Sequence, residues 1–452
     1  MSVGPGGESR GGAERALPPA DELGAEALRL AAALLPLRRS LTGDGVRATL
    51  RLVGEQVPLE TREVPSGTRV LDWTVPPEWR VGEAWIADAS GRRLVDAADH
   101  PLHLLGYSTG VRARLSGAEL QPHLHSLPER PHAIPARTSY WERRWGFCLA
   151  DTVRRTIRDD ALYEVVIDAT HDEHGSLTYG EAVVPGTGDG EILVSTYTCH
   201  PGLANDGVSG IVVAALLGKY LPRRRLRHSV RLLFAPATIG AIAWLAANEE
   251  RLDRIAAGFV VSCAGDPGPL TLKRSRRGDT DADRAGALVV AARGGSIRPF
   301  EPWGTDERQF CSPGFDLPVV ALTRTPHEAL PEHHTSDDDL SLLRPEALAG
   351  SIGALAATID VLDRNGRFLN LSPRGEPRLG DRGLYATLSA GDPAGGEEAG
   401  KALLWVLNLS DGRHTLLDVA ERSGLSFDLV ARAAETLVAH GLLRELDRGG
   451  AR

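Results

Sequence analysis

The chain has 452 residues, more than one ordinary hydrophobic core holds, so two or three domains are expected. Hydrophobic side chains make up 42%, charged ones 25%, and the net charge is −9, which excludes a wholly disordered chain, a fibre, and a protein built mainly to wrap nucleic acid or lie on anionic lipid. Cys148, Cys199, Cys263 and Cys311 form no Cys-x-x-Cys, which excludes a thiolate zinc finger and a dense disulfide framework, so any metal must be held mainly by His and carboxylates.

Residues 1–20 read as a disordered leader, Gly-rich and polar with no apolar signal segment. The longest apolar runs, Gly210–Gly218 and Gly258–Gly265, fall far short of the roughly 20 residues that span a bilayer. A cytoplasmic protein with no membrane partner is the expectation. Helical periodicity runs from Asp21 to about Leu37 and again over about Gly45–Val57. From 58 to 130 the texture changes to short β-like runs (Glu60–Val64, Thr68–Thr74, Ala84–Ala87, Val111–Leu115) separated by turn residues, which predicts an inserted all-β unit.

Residues 21–57 and 131–390 are expected to form an α/β domain with a mostly parallel sheet. Its predicted strands are Ala161–Thr170, Thr178–Val184, Ile192–Thr198, Val230–Ala235, Gly258–Cys263, Ala287–Ala292 and Val319–Thr323. Its predicted helices include Gly210–Tyr220, Gly240–Asn248 and Pro345–Asp363. Gly391–Gly400 reads as a flexible linker. Beyond it, residues 401–452 give three helical pieces and the β-like tail Leu442–Leu446, the order of a winged helix. Seven basic and seven acidic residues balance there, and Phe427–His440, at the recognition-helix position, carries one arginine, Arg432, against Asp428 and Glu435. That composition disfavours DNA binding. It suits packing against the catalytic domain or a second subunit, so a homo-oligomer is among the expected assemblies.

Chemistry concentrates at the loop Tyr197–Gly210, between a buried strand and a helix and therefore at the carboxyl edge of the sheet. His200 and Asp206 lie six positions apart on a Gly/Pro-bent loop and can converge on one cation, since zinc takes N and O ligands at about 2.0–2.2 Å. Gly207 and Gly210 would let the helix start pack closely. Asp206 as a simple capping residue is the competing explanation. Three further polar loops follow: Ala264-Gly265-Asp266-Pro267-Gly268, Trp303–Phe310 with Asp306-Glu307, and Pro331–Asp338 with His334. Each alone could be a solvated turn; four such loops in one α/β domain point to a metal.

His200-Pro-Gly-Leu-Ala-Asn-Asp206-Gly-Val-Ser-Gly210 resembles the His…Ala-Asn-Asp-x-x-Ser-Gly signature of the zinc-dependent aminopeptidase clan of co-catalytic exopeptidases. Gly304–Phe310 with Pro313–Pro318, and Glu332-His333-His334-Thr335, resemble its later motifs. The closer resemblance is to the bacterial aminopeptidase-like family with an inserted β domain and a C-terminal winged helix. It is carried by Arg39–Val46, Asp72-Trp73, His123-Leu-His125, Arg137-Thr-Ser-Tyr140, Trp145–Cys148, Tyr179-Gly-Glu181 and Asp306–Gly314.

The resemblance implies His200, Asp206, Asp266 and His334 as ligands of one or two zinc ions, with Asp206 at the bridging position. It also implies a peptide or small amide substrate. The chain departs from the clan in one place: Phe234-Ala-Pro-Ala-Thr238 stands where the clan has a Glu-Glu pair, so the general base must come from elsewhere. Glu307, Glu332, Asp306 and Glu181 are the candidates, Glu307 first because it lies inside a long family-like motif. Glu181, Asp306 and Glu332 could hold a substrate ammonium. Arg137 and Tyr140 could grasp a carboxylate or an oxyanion, or belong to a structural network. His123 and His125, if on a strand, would share one face, a weak metal motif. Cys199 invites a thiol-protease reading, but the sequence nominates no base–orienter pair for it.

Overall fold

In the computed structural model, residues 17–384 and 393–446 are described. The predicted leader therefore lies almost wholly outside the described residues, and the first helix, Ala20–Leu34, begins at its end. The chain forms two compact units, one of residues 17–283 with 290–356, the other of residues 284–289 with 357 onward.

The larger unit is built on an eight-stranded sheet. Its central strands, Ser229–Ala235, Glu191–Tyr197, Ile255–Val261 and Val319–Thr323, are parallel neighbours in that order. Glu191–Tyr197 is buried at every position, as a parallel strand covered on both faces must be. The helix Gly210–Tyr220 follows it, buried except at Lys219. Antiparallel strands flank the parallel core: Ser176–Val184 and Glu60–Pro65 on one side, Thr271–Lys273 on the other, with Ser296–Arg298 at that edge.

Three boundaries differ from the sequence expectation. Glu60–Pro65, expected in the inserted β unit, pairs antiparallel with Ser176–Val184 in the main sheet, Glu60 facing Glu181. The inserted sheet consists of Glu78–Asp88, Arg93–Asp96, Val111–Ser116 and Leu162–Asp172. The last of these was expected in the α/β domain, yet it pairs with both Glu78–Asp88 and Val111–Ser116 around a core that includes Trp79, Ile86, Tyr107, Phe147 and Val165. Ala287–Ala292, expected as a strand, is the end of the helix Asp281–Ala292. Thr280 and Asp283 cap that helix reciprocally, and Ala282, Ala285, Val289 and Val290 are buried at helical spacing.

In the smaller unit, Arg367–Asn370 pairs antiparallel with Asp411–Thr415 and with Leu443–Glu445. The winged helix therefore starts near 367 rather than 401. Its helices are Pro393–Leu409, Leu416–Ser423 and Phe427–Ala439, so the expected linker is helical from 393, and its first residues, 391 and 392, lie outside the described residues. Asp428 and Glu435 of the third helix both face Arg364, at 2.9 and 3.3 Å. Pro345–Arg364 is long and apolar enough to cross a membrane by length and composition alone, but 72% of its apolar window is buried.

Candidate metal centre

The site begins where the strand Glu191–Tyr197 gives way to Thr198-Cys199-His200. The chain then turns through Gly202 and a short irregular turn, Ala204–Ser209, into the helix from Gly210. Gly207 sits at φ +114°, and a β-carbon there would meet His200 Cβ at 3.3 Å and the Tyr197 ring at 3.5 Å. A β-carbon at Gly210 would meet Val261 O at 2.3 Å, so the helix packs on the neighbouring strand only because glycine stands there. Arg39, buried, donates from Nε to His200 O at 2.8 Å.

Three ligand-type side chains meet at this edge. One donor atom each from His200, Asp206 and His334 lie within 4.8 Å of one another. His334 comes from the loop after Val319–Thr323, with φ +55°, and its carbonyl accepts Ala136 N at 2.8 Å. His334 Nε2 lies 3.0 Å from Asp206 Oδ2, and His333 Nε2 lies 3.3 Å from the same oxygen. The two rings stack at 4.0 Å with 15° between planes. The adjacent histidines thus reach one carboxylate together, and His333 is a functional candidate that sequence reasoning left as a bystander.

Asp206 is held from below. Asp338 Oδ1 accepts Asn205 N at 2.6 Å, and Asp338 Oδ2 accepts Asp206 N at 2.8 Å. Tyr197 OH donates to Asp206 Oδ1. Burial alone would raise the Asp206 pKa, but the charges and contacts of His200, His333 and His334 outweigh it and hold the carboxyl well below its usual range. Burial pushes the His200 imidazole down to about 4. Burial also opposes the His334 cation, yet Asp206 outweighs it and lifts that group above its ordinary value.

The residues fit a divalent cation. Asp206 Oδ2 is buried and receives no hydrogen bond of good geometry, although two imidazole nitrogens face it. A buried carboxylate oxygen ringed by nitrogens without hydrogen bonds is what a metal would satisfy. Two imidazoles and one carboxylate match the kind of three-ligand set that catalytic zinc sites use.

The other residues named from sequence fall in different places. Asp266 does not join the three donors. Its oxygens accept from Asn205 Nδ2 at 3.0 Å, Gly268 N at 2.8 Å, and Thr325 N and Oγ1 at 3.2 and 2.5 Å, so it braces the loop through Asn205. Glu181 is consumed inside the sheet, where Oε2 accepts Arg231 Nη1 at 2.8 Å and Trp244 Nε1 at 3.0 Å; it is not placed to hold a substrate ammonium. Glu307 is buried against Lys273 Nζ and accepts Thr305 Oγ1 at 2.6 Å, so its carboxylate already has an ion-pair partner. Asp306, one residue before it, is different. It is buried with no hydrogen bond to either oxygen, and burial, then the Glu307 charge, lift its pKa to about 7.

Glu332 is half-buried and caps Thr335 with its backbone carbonyl. Tyr140 is 62% exposed, its ring stacked near Trp141. Arg137 is exposed beside the His334 segment. His123 stacks on Trp145 at 3.6 Å, outside the metal group, while His125 sits on the strand Leu124–His125. Burial and the charges of Asp306 and Asp206 push the Cys199 thiol up to about 12, which keeps it protonated and argues against a thiol nucleophile. Ala237, where the clan's acidic pair is missing, offers only its carbonyl to Cys199 Sγ, at 3.6 Å.

Residues 28–365 match a family described as a domain of unknown function, DUF4910. The chain belongs to that family. Residues 367–445 match a winged helix-turn-helix family. A Clostridium acetobutylicum protein named, provisionally, for polysaccharide biosynthesis with an aminopeptidase-like domain is 41% identical over 94% of this chain and 97% of its own. A crystal structure of a provisionally named peptidase from the same species is 40% identical over 94% of this chain and 97% of that one, with a TM-score of 0.89. The zinc aminopeptidase of Bacillus subtilis shares the fold, with a TM-score of 0.56 at 12% identity over 76% of this chain and 95% of that one. A peptidase M28 precursor from Shewanella amazonensis does so with a TM-score of 0.54 at 14% identity, over 78% and 96%. This DUF4910 member therefore carries an aminopeptidase-type α/β fold with a winged helix, as the sequence resemblance implied.

Proposed function

We propose that this chain is a zinc-dependent hydrolase of aminopeptidase type, cleaving a peptide or small amide bond. The observation that carries the reading is the convergence of His200, Asp206 and His334 around an Asp206 oxygen that no hydrogen bond satisfies, at the carboxyl edge of an aminopeptidase-type sheet. His200, Asp206 and His334 would hold the ion, with His333 beside them. Zinc bound there supplies Lewis-acid polarisation of a carbonyl and acidifies an attacking water.

The chain's own residues supply the rest. Asp338 and Tyr197 fix the loop and carboxylate of Asp206, so the donors keep their positions as substrate enters. Asp306 is the favoured general base in place of the missing acidic pair: with a pKa near 7 it can take a proton and return it to the leaving amine at neutral pH. Glu307, ranked first from sequence, serves better as the partner that fixes Lys273.

A second reading, an amide hydrolase or deacylase acting on a non-peptide metabolite, is favoured by one observation. Glu181, a candidate for holding an α-ammonium, is engaged by Arg231 and Trp244. Elemental analysis of the native chain beside His200→Ala tests the centre: bound zinc in the first and its loss in the second are expected, and a native protein that binds no metal refutes it. Aminoacyl-amide and N-acyl substrates then divide the two readings, since turnover of N-blocked compounds alone defeats the aminopeptidase version.

A further inference from the structure

A cavity of about 350 Å³ opens in the larger unit. His125, Ser126, Arg137, Thr138, Arg144 and Arg154 line it, with two leucines behind. Three guanidiniums around one small cavity repel one another. Arg154 is held by Gln121, with Nε donating to Oε1 at 2.9 Å, and by Ser126. Arg144 has Glu142 at 3.5 Å on its exposed side. Arg137 makes no side-chain hydrogen bond or ion pair among the described residues. Asp151 is buried and takes Ser126 Oγ at 2.8 Å and Arg155 Nη2 at 2.6 Å. No acidic side chain lines the cavity.

The cavity is tied to the candidate centre through the backbone. Ala136 N donates to His334 O at 2.8 Å, Ser336 N donates to Ile134 O at 2.9 Å, and Pro135 bridges to Thr335. Arg137 thus stands one residue from the segment that pairs with His334. Burial, followed by the charges of Arg144, Arg137 and Arg154, pushes the pKa of His125, which also lines the cavity, below its ordinary value.

We propose that this cavity binds an oxyanion, a carboxylate or phosphate group carried by the substrate whose amide lies at the His200–Asp206–His334 centre. The substrate class is then an anionic amide. The assignment of the bound group to a substrate rests on the hydrolase reading above, whereas the anion site itself does not. Guanidiniums suit this task because their planar donors match two oxygens of one carboxylate or phosphate. Thr138 and Ser126 add neutral hydroxyls at the wall.

Calorimetric titration of the full chain, with a chelator present to silence any metal, tests the site with inorganic phosphate and with succinate. Saturable binding of either anion is expected, weakened about tenfold or more in Arg137→Gln and in Arg144→Gln. Whichever anion binds names the source. No saturable binding of either, or binding unchanged in both variants, overturns the proposal. Matched amide substrates with and without an anionic group form the second arm. Preference for the anionic member, lost in Arg137→Gln through KM, supports the subsite; turnover indifferent to the anion overturns it. A chain that binds the anion in the first arm but hydrolyses nothing keeps the anion site and refutes the hydrolase reading, so the two failures are distinct.

Discussion

Replacing Asp306 by Asn tests the site through stability, before any substrate is known. The carboxyl is 1% exposed, and neither oxygen accepts a hydrogen bond. Burial and then the Glu307 charge raise its pKa from 3.8 to about 7, against the opposing charge of Arg308. The folded state therefore keeps a proton that the unfolded chain has already released. Stability falls as pH rises through that window, by roughly 1.4 kcal/mol per pH unit, and levels off above pH 7. The gap between the two pKa values sets the full cost at about 4 kcal/mol. Asn stays neutral and keeps the shape, so the variant loses this slope. Urea unfolding of the chelated full-length chain, followed by tryptophan fluorescence, measures it; Trp244 packs edge-on against Phe310, four residues from the substitution. The variant's stability relative to wild type should improve by about 2–3 kcal/mol between about pH 5 and pH 8, then hold steady. A difference that does not change with pH, or a variant less stable than wild type at pH 8, would refute the buried, unpartnered carboxyl. In an active preparation the same substitution should lower kcat/KM by about 10²–10⁴ and remove an acid limb near pH 7.

Three further outcomes follow from the geometry. Asp338→Ala removes the acceptor for the amides of Asn205 and Asp206, so zinc affinity, measured by competition with a chromophoric chelator, should fall about 10–100-fold. Glu181→Ala leaves Arg231 with Glu191 as its remaining carboxylate, which should cost about 2–3 kcal/mol in urea unfolding; a stability equal to wild type would return Glu181 to the substrate site. Gly207→Ala forces a β-carbon into a φ of +114° against His200, so a loss of about 1–3 kcal/mol together with weaker zinc binding is expected, and unaltered metal content would show that the loop does not set the His200 position.

The strand–loop–helix from Glu191 to Tyr220 was legible in sequence because its signals agree. An uninterrupted apolar run marks a strand covered on both faces, Gly207 and Gly210 mark the bend, and a second apolar run without alternation marks the buried helix. Ala287–Ala292 was not legible on the same grounds, since a short apolar run serves a strand or a buried helix equally well. The cap at Thr280 with Asp283 was the signal that separates them, and it lies seven residues upstream of the run. Strand membership failed for a related reason. Glu60–Pro65 looks like any short β segment, and only its partner, Ser176–Val184, assigns it to the main sheet rather than the inserted one.

Within the site, residue type and position were visible but partnership was not. Asp306 and Glu307 are neighbouring acids in one motif, and they differ because Lys273, from a distant strand, reaches Glu307 and leaves both oxygens of Asp306 without a hydrogen bond. His333 and His334 are identical in type; the left-handed backbone at His334 brings both rings onto the same Asp206 oxygen, so two candidates appear where the motif nominated one. Asp266 and Asp206 both follow buried strands, but Thr325 and Asn205 supply donors to both oxygens of the first, whereas Oδ2 of the second receives no hydrogen bond. Each pair is separated by what the fold withholds from one member. A carboxylate or imidazole becomes chemically available only when its neighbours leave a lone pair unused, and that condition is set by contacts between residues far apart in the chain.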